Sequence, residues 1–252
     1  MNVLLTNDDG FHAPGLLALF RALETKHRVF VVAPEFEQSA VGHSITLADP
    51  IKVKEVKKNG VLYGYAVGGT PADCVRIAVS ELIGEQVQVV VSGINLGANV
   101  GLNVLYSGTV SAGTEAAILG LPAFSISLDT FIRPDYSLAA GLAAKLIELL
   151  PGLGLPPGVS LNVNVPARPA AGIKGVAWTR QGVSPAGEAF SRRVDPRGNT
   201  YFWRGAETPP QNLAQDTDYT LLAQGFITIT PLRHDLTHHE ALSRLKNHKI
   251  EL

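Results

Sequence analysis

Apolar residues are gathered into short dense runs divided by polar, glycine-rich stretches. Val3, Leu4 and Leu5 stand without alternation, so residues 2–5 are expected to form a strand buried on both faces. Pro14-Gly15-Leu16 opens a helix with Pro14 in its first turn, and Leu16, Leu17, Leu19, Phe20 and Leu23 supply the apolar stripe. Residues 28–33 (RVFVVA) form a second buried run. A strand, a helix and a strand in this order imply a parallel pair joined by a right-handed crossover.

The alternation continues. Strands are expected at 61–67, 87–91, 123–127 and 160–165, and helices across 74–83, 110–119 and 138–150, the last ended by Pro151-Gly152. The pattern predicts an α/β fold, Rossmann-like and doubly wound, with a mostly parallel sheet. Beyond Pro166 the chain is richer in Pro, Gly, Arg and aromatics. Short β-like pieces near 176–179, 200–203 and 226–229 and a final helix near 240–249 complete it. Residues 1–165 are therefore read as the α/β core, and 166–252 as a β-rich extension and oligomerisation arm with a C-terminal helix. Such an arm could cover the site or exchange with a second subunit. There is no internal repeat.

Composition narrows the function only by exclusion. The chain has 252 residues, 46% of them hydrophobic, enough for a large core. A net charge of -1 from 21 basic and 22 acidic residues gives no reason to expect a nucleic-acid or membrane surface. Lys52, Lys54, Lys57 and Lys58 read as a solvated strand and turn. Cys74 is the single cysteine, so no disulfide can form within the chain, and its apolar neighbours mark it as a buried small hydrophobe. The N-terminus does not read as a signal peptide. Residues 87–114 carry no charge, but three asparagines and five glycines suit a strand, loop and helix better than a membrane span.

The candidate chemistry lies where an open parallel sheet places ligands, beyond the carboxyl ends of strands. Asp8 and Asp9 are adjacent anions that repel unless something compensates them. A hard divalent cation held by oxygen ligands is one reading, and a turn capping the following helix is the other. After the second strand, Ser39 could ligate a metal or cap a helix. His43 could orient or protonate a substrate, or be a surface histidine. Glu35 and Glu37 are further carboxylates with a solvated alternative. Asn95 follows another strand and carries an amide oxygen suited to a hard cation. Ser107-Gly108-Thr109 precedes a helix, where backbone N–H groups and hydroxyls can cradle phosphate or simply cap. A lysine-bearing phosphate loop and a Gly-x-Ser-x-Gly nucleophile elbow are both absent from the sequence.

Several blocks resemble the survival protein SurE family. They are Thr6-Asn7-Asp8-Asp9-Gly10, Ala33-Pro34, Gln38-Ser39-Ala40, Gly42-His43, Gly69-Thr70-Pro71-Ala72-Asp73-Cys74-Val75, Ser92-Gly93-Ile94-Asn95-Leu96-Gly97 and Tyr106-Ser107-Gly108-Thr109-Val110, followed by Val163-Asn164-Val165-Pro166 and Ile229-Thr230-Pro231-Leu232. Each block alone is weak; their number and order are specific, and they run from Asn2 to about Thr237. The resemblance implies a metal-dependent phosphatase acting on nucleoside 5′- and 3′-monophosphates, in some members also on short polyphosphate. It implies one Mg²⁺ or Mn²⁺ per subunit held by Asp8, Asp9, Ser39 and Asn95, and a cytoplasmic homodimer or homotetramer with exchanged C-terminal arms. No membrane and no stable nucleic-acid binding are expected. The expected reaction is hydrolysis by metal-activated water, with Asn7, Ser107, Gly108 and Thr109 on the phosphate and His43 moving a proton. A covalent aspartyl intermediate is the alternative enzyme, and a nucleotide-binding module without turnover is the alternative of another class.

Overall fold

The computed structural model describes residues 1–83, 87–184, 187, 189–205 and 214–248. It is a mixed α/β structure built on a nine-stranded sheet. Strand β1 (Asn2–Thr6) leads into helix α1 (Pro14–Leu23), β2 (Arg28–Pro34), β3 (Lys52–Lys58) and β4 (Val61–Gly68). Helix α2 (Pro71–Ile77), β5 (Val89–Leu96), α3 (Gly108–Ile118), β6 (Ala123–Asp129), α4 (Ser137–Leu149) and β7 (Val159–Pro166) follow. The C-terminal part supplies β8 (Val176–Trp178), β9 (Phe190–Val194), β10 (Thr200–Arg204), α5 (Asp218–Gln224), β11 (Ile227–Arg233) and α6 (His239–Leu245).

The strand order is β3-β4-β2-β1-β5-β6-β7-β11-β8. From β2 to β7 every neighbouring pair in the order β2-β1-β5-β6-β7 is parallel. The chain leaves β1 in one direction to β2 and β4, then returns to β1's other side with β5. The switch point therefore falls between β1 and β5, where Thr6 pairs with Ser92. Residues from one face of the sheet (Val3, Leu5, Val31, Val91) pack with α1 and α4. Those of the other face (Leu4, Val32, Val90) pack with α2 and α3 through Cys74, Val75, Ala112 and Ala116. This alternation is why the inner strands read as unbroken apolar runs.

Local chemistry sets the helix starts. Pro14 lies at the head of α1. Thr70 and Asp73 form a reciprocal capping box on α2, with Pro71 in its first turn. Ser107 caps α3 by accepting from the Val110 N–H at 3.1 Å. Helix α2 stops at Ile77 and passes into a π-helical turn over Ala78–Leu82, so the α-helix is shorter than the expected 74–83. Strand β5 runs on to Leu96, longer than the expected 87–91. Its register with β6 shifts between Gly93 and Asn95, and an irregularity of that kind re-aims the side chains beyond it.

Strands β11 and β8 extend the main sheet, β11 antiparallel to β7 and β8 parallel to β11. Among the described residues, strands β9 and β10 pair only with each other, and their residues are exposed. Sequence patterning did not indicate β9 or α5. Part of the final helix expected at 240–249 reaches Lys249, which lies outside the described residues. The lysine-bearing β3 is an exposed edge strand, as expected, and Lys54 pairs with Glu35. Cys74 is buried. Among the described residues no helix is long and apolar enough to cross a membrane.

Candidate functional site

The polar loops converge at the carboxyl end of the sheet, around β1. Asp8 and Asp9 follow β1 directly. The turn is held from within: the Asn7 amide nitrogen donates to the Gly10 carbonyl at 2.9 Å, and Asn7 is fully buried. The Phe11 N–H donates to the Pro34 carbonyl at 2.7 Å and the Gln38 N–H to the Asp8 carbonyl at 2.7 Å. These two bonds place the loop bearing Ser39 beside the aspartates. Close packing locks the arrangement, because a Cβ on Gly15 would lie 2.1 Å from the Ile94 carbonyl oxygen.

Asp8 points at the head of α3. One carboxylate oxygen accepts from the Thr109 N–H at 2.9 Å and the other from the Thr109 hydroxyl. Asp8 therefore does act as an anionic partner of a helix N-terminus, but of α3 rather than the following helix. Helix α1 has no side-chain cap. Gly108 permits the approach: a Cβ there would sit 2.9 Å from Asp8 Cβ and 3.1 Å from Pro71 Cγ. The head of α3 is fixed to the sheet by the Ser125 hydroxyl, which donates to the Thr109 carbonyl at 2.9 Å.

The electrostatics are those of a site short of positive charge. Burial raises the Asp8 carboxyl above its ordinary value, against the lowering effect of the Thr109 hydrogen bonds. Asp9 is pushed up to about 7, first by burial, then by the Asp8 charge, although its carboxyl accepts a hydrogen bond from the Leu96 backbone. Glu37 adds a third negative charge that acts on both aspartates. An Asp carboxyl raised to about 7 beside another buried carboxyl is a pair of like charges held together in a poorly solvated place, which is common at functional sites.

The donor set fits a hard divalent ion. Asn95 commits its amide nitrogen to the carbonyls of Leu96 (3.1 Å) and Gly97 (2.8 Å), which leaves its oxygen for a ligand. The Asn7 amide oxygen is buried without a hydrogen-bond partner. Ser39 is exposed, and its hydroxyl donates to Glu37. Carboxylate, amide and hydroxyl oxygens on three loops are what Mg²⁺ or Mn²⁺ binds. Among the described residues no cluster of three or more His, Cys, Asp or Glu forms a metal site. That result is compatible with this donor set, two of whose four members are Ser and Asn.

Ser107 is the N-cap of α3 and Gly108 and Thr109 open its first turn, so the capping alternative holds for Ser107. Thr109 is also the residue that holds Asp8, a role the sequence did not reveal. His43 stands on a loop tied to this region by the Gly42 N–H, which donates to the Tyr106 carbonyl at 2.9 Å. Its ring Nε2 lies 2.7 Å from Glu115 Oε2, and Arg76 Nε lies 2.7 Å from Glu115 Oε1. Burial pushes the Glu115 carboxyl up, but the His43 hydrogen bond and the Arg76 charge outweigh it and hold the group below its ordinary value. Glu115 was not visible as a site residue in the sequence. It sits mid-helix on α3, far along the chain from both partners.

Three comparisons bear on this arrangement. The family model of Survival protein SurE matches residues 3–188. The 5'-nucleotidase SurE of Syntrophobacter fumaroxidans is 51% identical over 245 residues, covering 97% of this chain and 98% of its own. That of Syntrophus aciditrophicus is 51% identical over 247 residues, covering 98% and 93%. The crystal structure of the SurE protein from Aquifex aeolicus superposes with a TM-score of 0.85 at 35% identity, covering 98% of each chain.

Proposed function

We propose, from the premise that this chain belongs to the survival protein SurE family, that it is a 5'-nucleotidase: a phosphoric monoester hydrolase that releases phosphate from nucleoside 5′-monophosphates. Family membership and the names of relatives half identical over nearly the whole length support the reaction class. The observation that carries the local reading is the Asp8-Asp9 pair at the switch point, with Asp9 raised to about 7 and oxygen donors around it.

In this reading Asp8, Asp9, Ser39 and Asn95 hold one divalent cation, Mg²⁺ or Mn²⁺. Bound there, it supplies charge neutralisation for the phosphoryl group and acidifies water. The remaining work belongs to the chain. Thr109 holds Asp8 in a fixed rotamer. The head of α3 would offer the backbone N–H groups of Ser107 and Gly108 and a positive helix end to the phosphoryl oxygens, while Thr109 gives its own N–H and hydroxyl to Asp8. Asn7 holds the turn from which the aspartates project. His43, held by Glu115, would move a proton to the leaving group. Activity on 3′-monophosphates and short polyphosphate, a cytoplasmic setting, and a homodimer or homotetramer formed through the 166–252 arm belong to the same proposal.

Asp8→Ala tests the site. Phosphate release from a nucleoside 5′-monophosphate with Mn²⁺ is expected to vanish while the variant still unfolds cooperatively. Full turnover in that variant would remove Asp8 from the chemistry. Acid quench with labelled substrate is expected to trap no acyl-phosphate; a trapped one would favour the covalent route instead.

A further inference from the structure

Phe131 is a large apolar side chain that stands outside the hydrophobic core. It is 80% exposed, yet its loop is held firmly. The Gly97 N–H donates to the carbonyls of Leu128 (2.9 Å) and Thr130 (3.1 Å). The Thr130 hydroxyl and the Ile132 backbone close a tight turn around Phe131. The ring's outer edge rests on Gly97: a Cβ there would lie 2.3 Å from Phe131 Cζ and 2.7 Å from Cε1. Gly97 has φ +93, so glycine is favoured there on backbone grounds as well as by the lack of space.

Gly97 is also the residue whose carbonyl fixes the Asn95 amide. The seat of the aromatic ring and the proposed ligand Asn95 are thus two residues apart, at most about 7 Å of extended chain. An aromatic ring that is 80% exposed and touches Gly97 through its outer edge, beside the proposed metal site, has the geometry of a stacking platform. Every nucleobase offers a π face to such a ring. A ring kept only for core packing would be covered.

We propose that Phe131 is the platform on which the nucleobase of the substrate stacks, and so sets the preference for nucleotides over phosphate esters without a base. This rests on the nucleotidase reading above. It names a residue that contacts the leaving group rather than the phosphate.

The test compares adenosine 5′-monophosphate with ribose 5-phosphate, which carries the same ester without the base. Phe131→Ala is expected to lose about 5- to 150-fold in kcat/KM on the nucleotide, which is ~1–3 kcal/mol, chiefly through KM. On ribose 5-phosphate it is expected to lose less than about threefold, the scatter of a surface substitution. Phe131→Trp is expected to restore the nucleotide rate. Equal losses on both substrates, with or without a change of oligomeric mass, overturn the inference, because a structural or interface role does not discriminate a base. No loss on the nucleotide overturns it too. Wild-type protein that cleaves neither substrate overturns the nucleotidase reading and this inference with it. Wild-type turnover with an undiscriminating variant overturns this inference alone.

Discussion

Replacing Asp9 by Asn should stabilise the metal-free protein while removing its activity. The Asp9 carboxyl lies at about 7 instead of 3.8, chiefly because it is buried and secondly because Asp8 is charged. At ~1.36 kcal/mol per pH unit the ionised form is penalised by up to about 4 kcal/mol. Asp9 retains some solvent contact, and screening reduces the penalty to about 1–2 kcal/mol. Because the folded-state value is raised, the penalty is complete above pH 7 and fades as pH falls from about 7 toward 4, where the folded protein takes up the proton first. Asn has no such proton, yet its amide oxygen can still accept from the Leu96 backbone. In chelator at pH 8 the variant should therefore melt roughly 2–8 °C above wild type, at ~2–4 °C per kcal/mol for a chain of this size. At pH 4 the gap should nearly close. Thermal unfolding by circular dichroism at the two pH values, with and without Mn²⁺, reads all of this. A variant less stable than wild type in chelator at pH 8, or a gap that does not change with pH, would refute the claim that the aspartate pair is held against its own electrostatics.

Other substitutions probe the supports of the site. Thr109→Val keeps the N–H bond to Asp8 but removes the hydroxyl one; denaturant titration should show a loss of about 1–3 kcal/mol, and kcat should fall more than KM changes. Glu115→Gln removes the charge that joins His43 to Arg76. Since the Glu115 carboxyl is held below its ordinary 4.5, wild type draws stability from it above that pH and loses it as pH falls further, whereas the variant should lack that acid limb in a pH series of unfolding midpoints. Gly108→Ala gains helix propensity but drives a methyl to 2.9 Å from Asp8 Cβ; turnover should drop by tenfold or more with a stability change within about 2 kcal/mol.

The order of elements was readable because the inner strands are buried on both faces and the helices carry start signals. Pro14, the Thr70 and Asp73 box and Ser107 each stand where a helix begins. Ends were harder. The passage of α2 into a π turn and the extension of β5 through Asn95 follow from tertiary contacts, not from local pattern. Helix α5 was legible in principle: Thr217 caps it, Asp218 opens its first turn and Gly225 closes it in a left-handed conformation. Strand β9 was not, since Phe190–Val194 carries two arginines and lies exposed. At the site, the polar residue types at strand ends were visible, but their partners were not. That Thr109 would hold Asp8, 101 residues away, or that Glu115 would hold His43, depends on how α3 crosses the sheet.

The central claim is that an oxygen-ligand cation site beside the head of α3 makes this chain a nucleotidase. Phosphate release from a nucleoside 5′-monophosphate, measured on wild-type protein stripped with chelator and then supplied with Mg²⁺ or Mn²⁺, tests it most directly. The expected result is no release in chelator and full recovery with at least one of the two ions. Undiminished release in chelator would contradict the metal centre, and no release with either ion would contradict the enzyme.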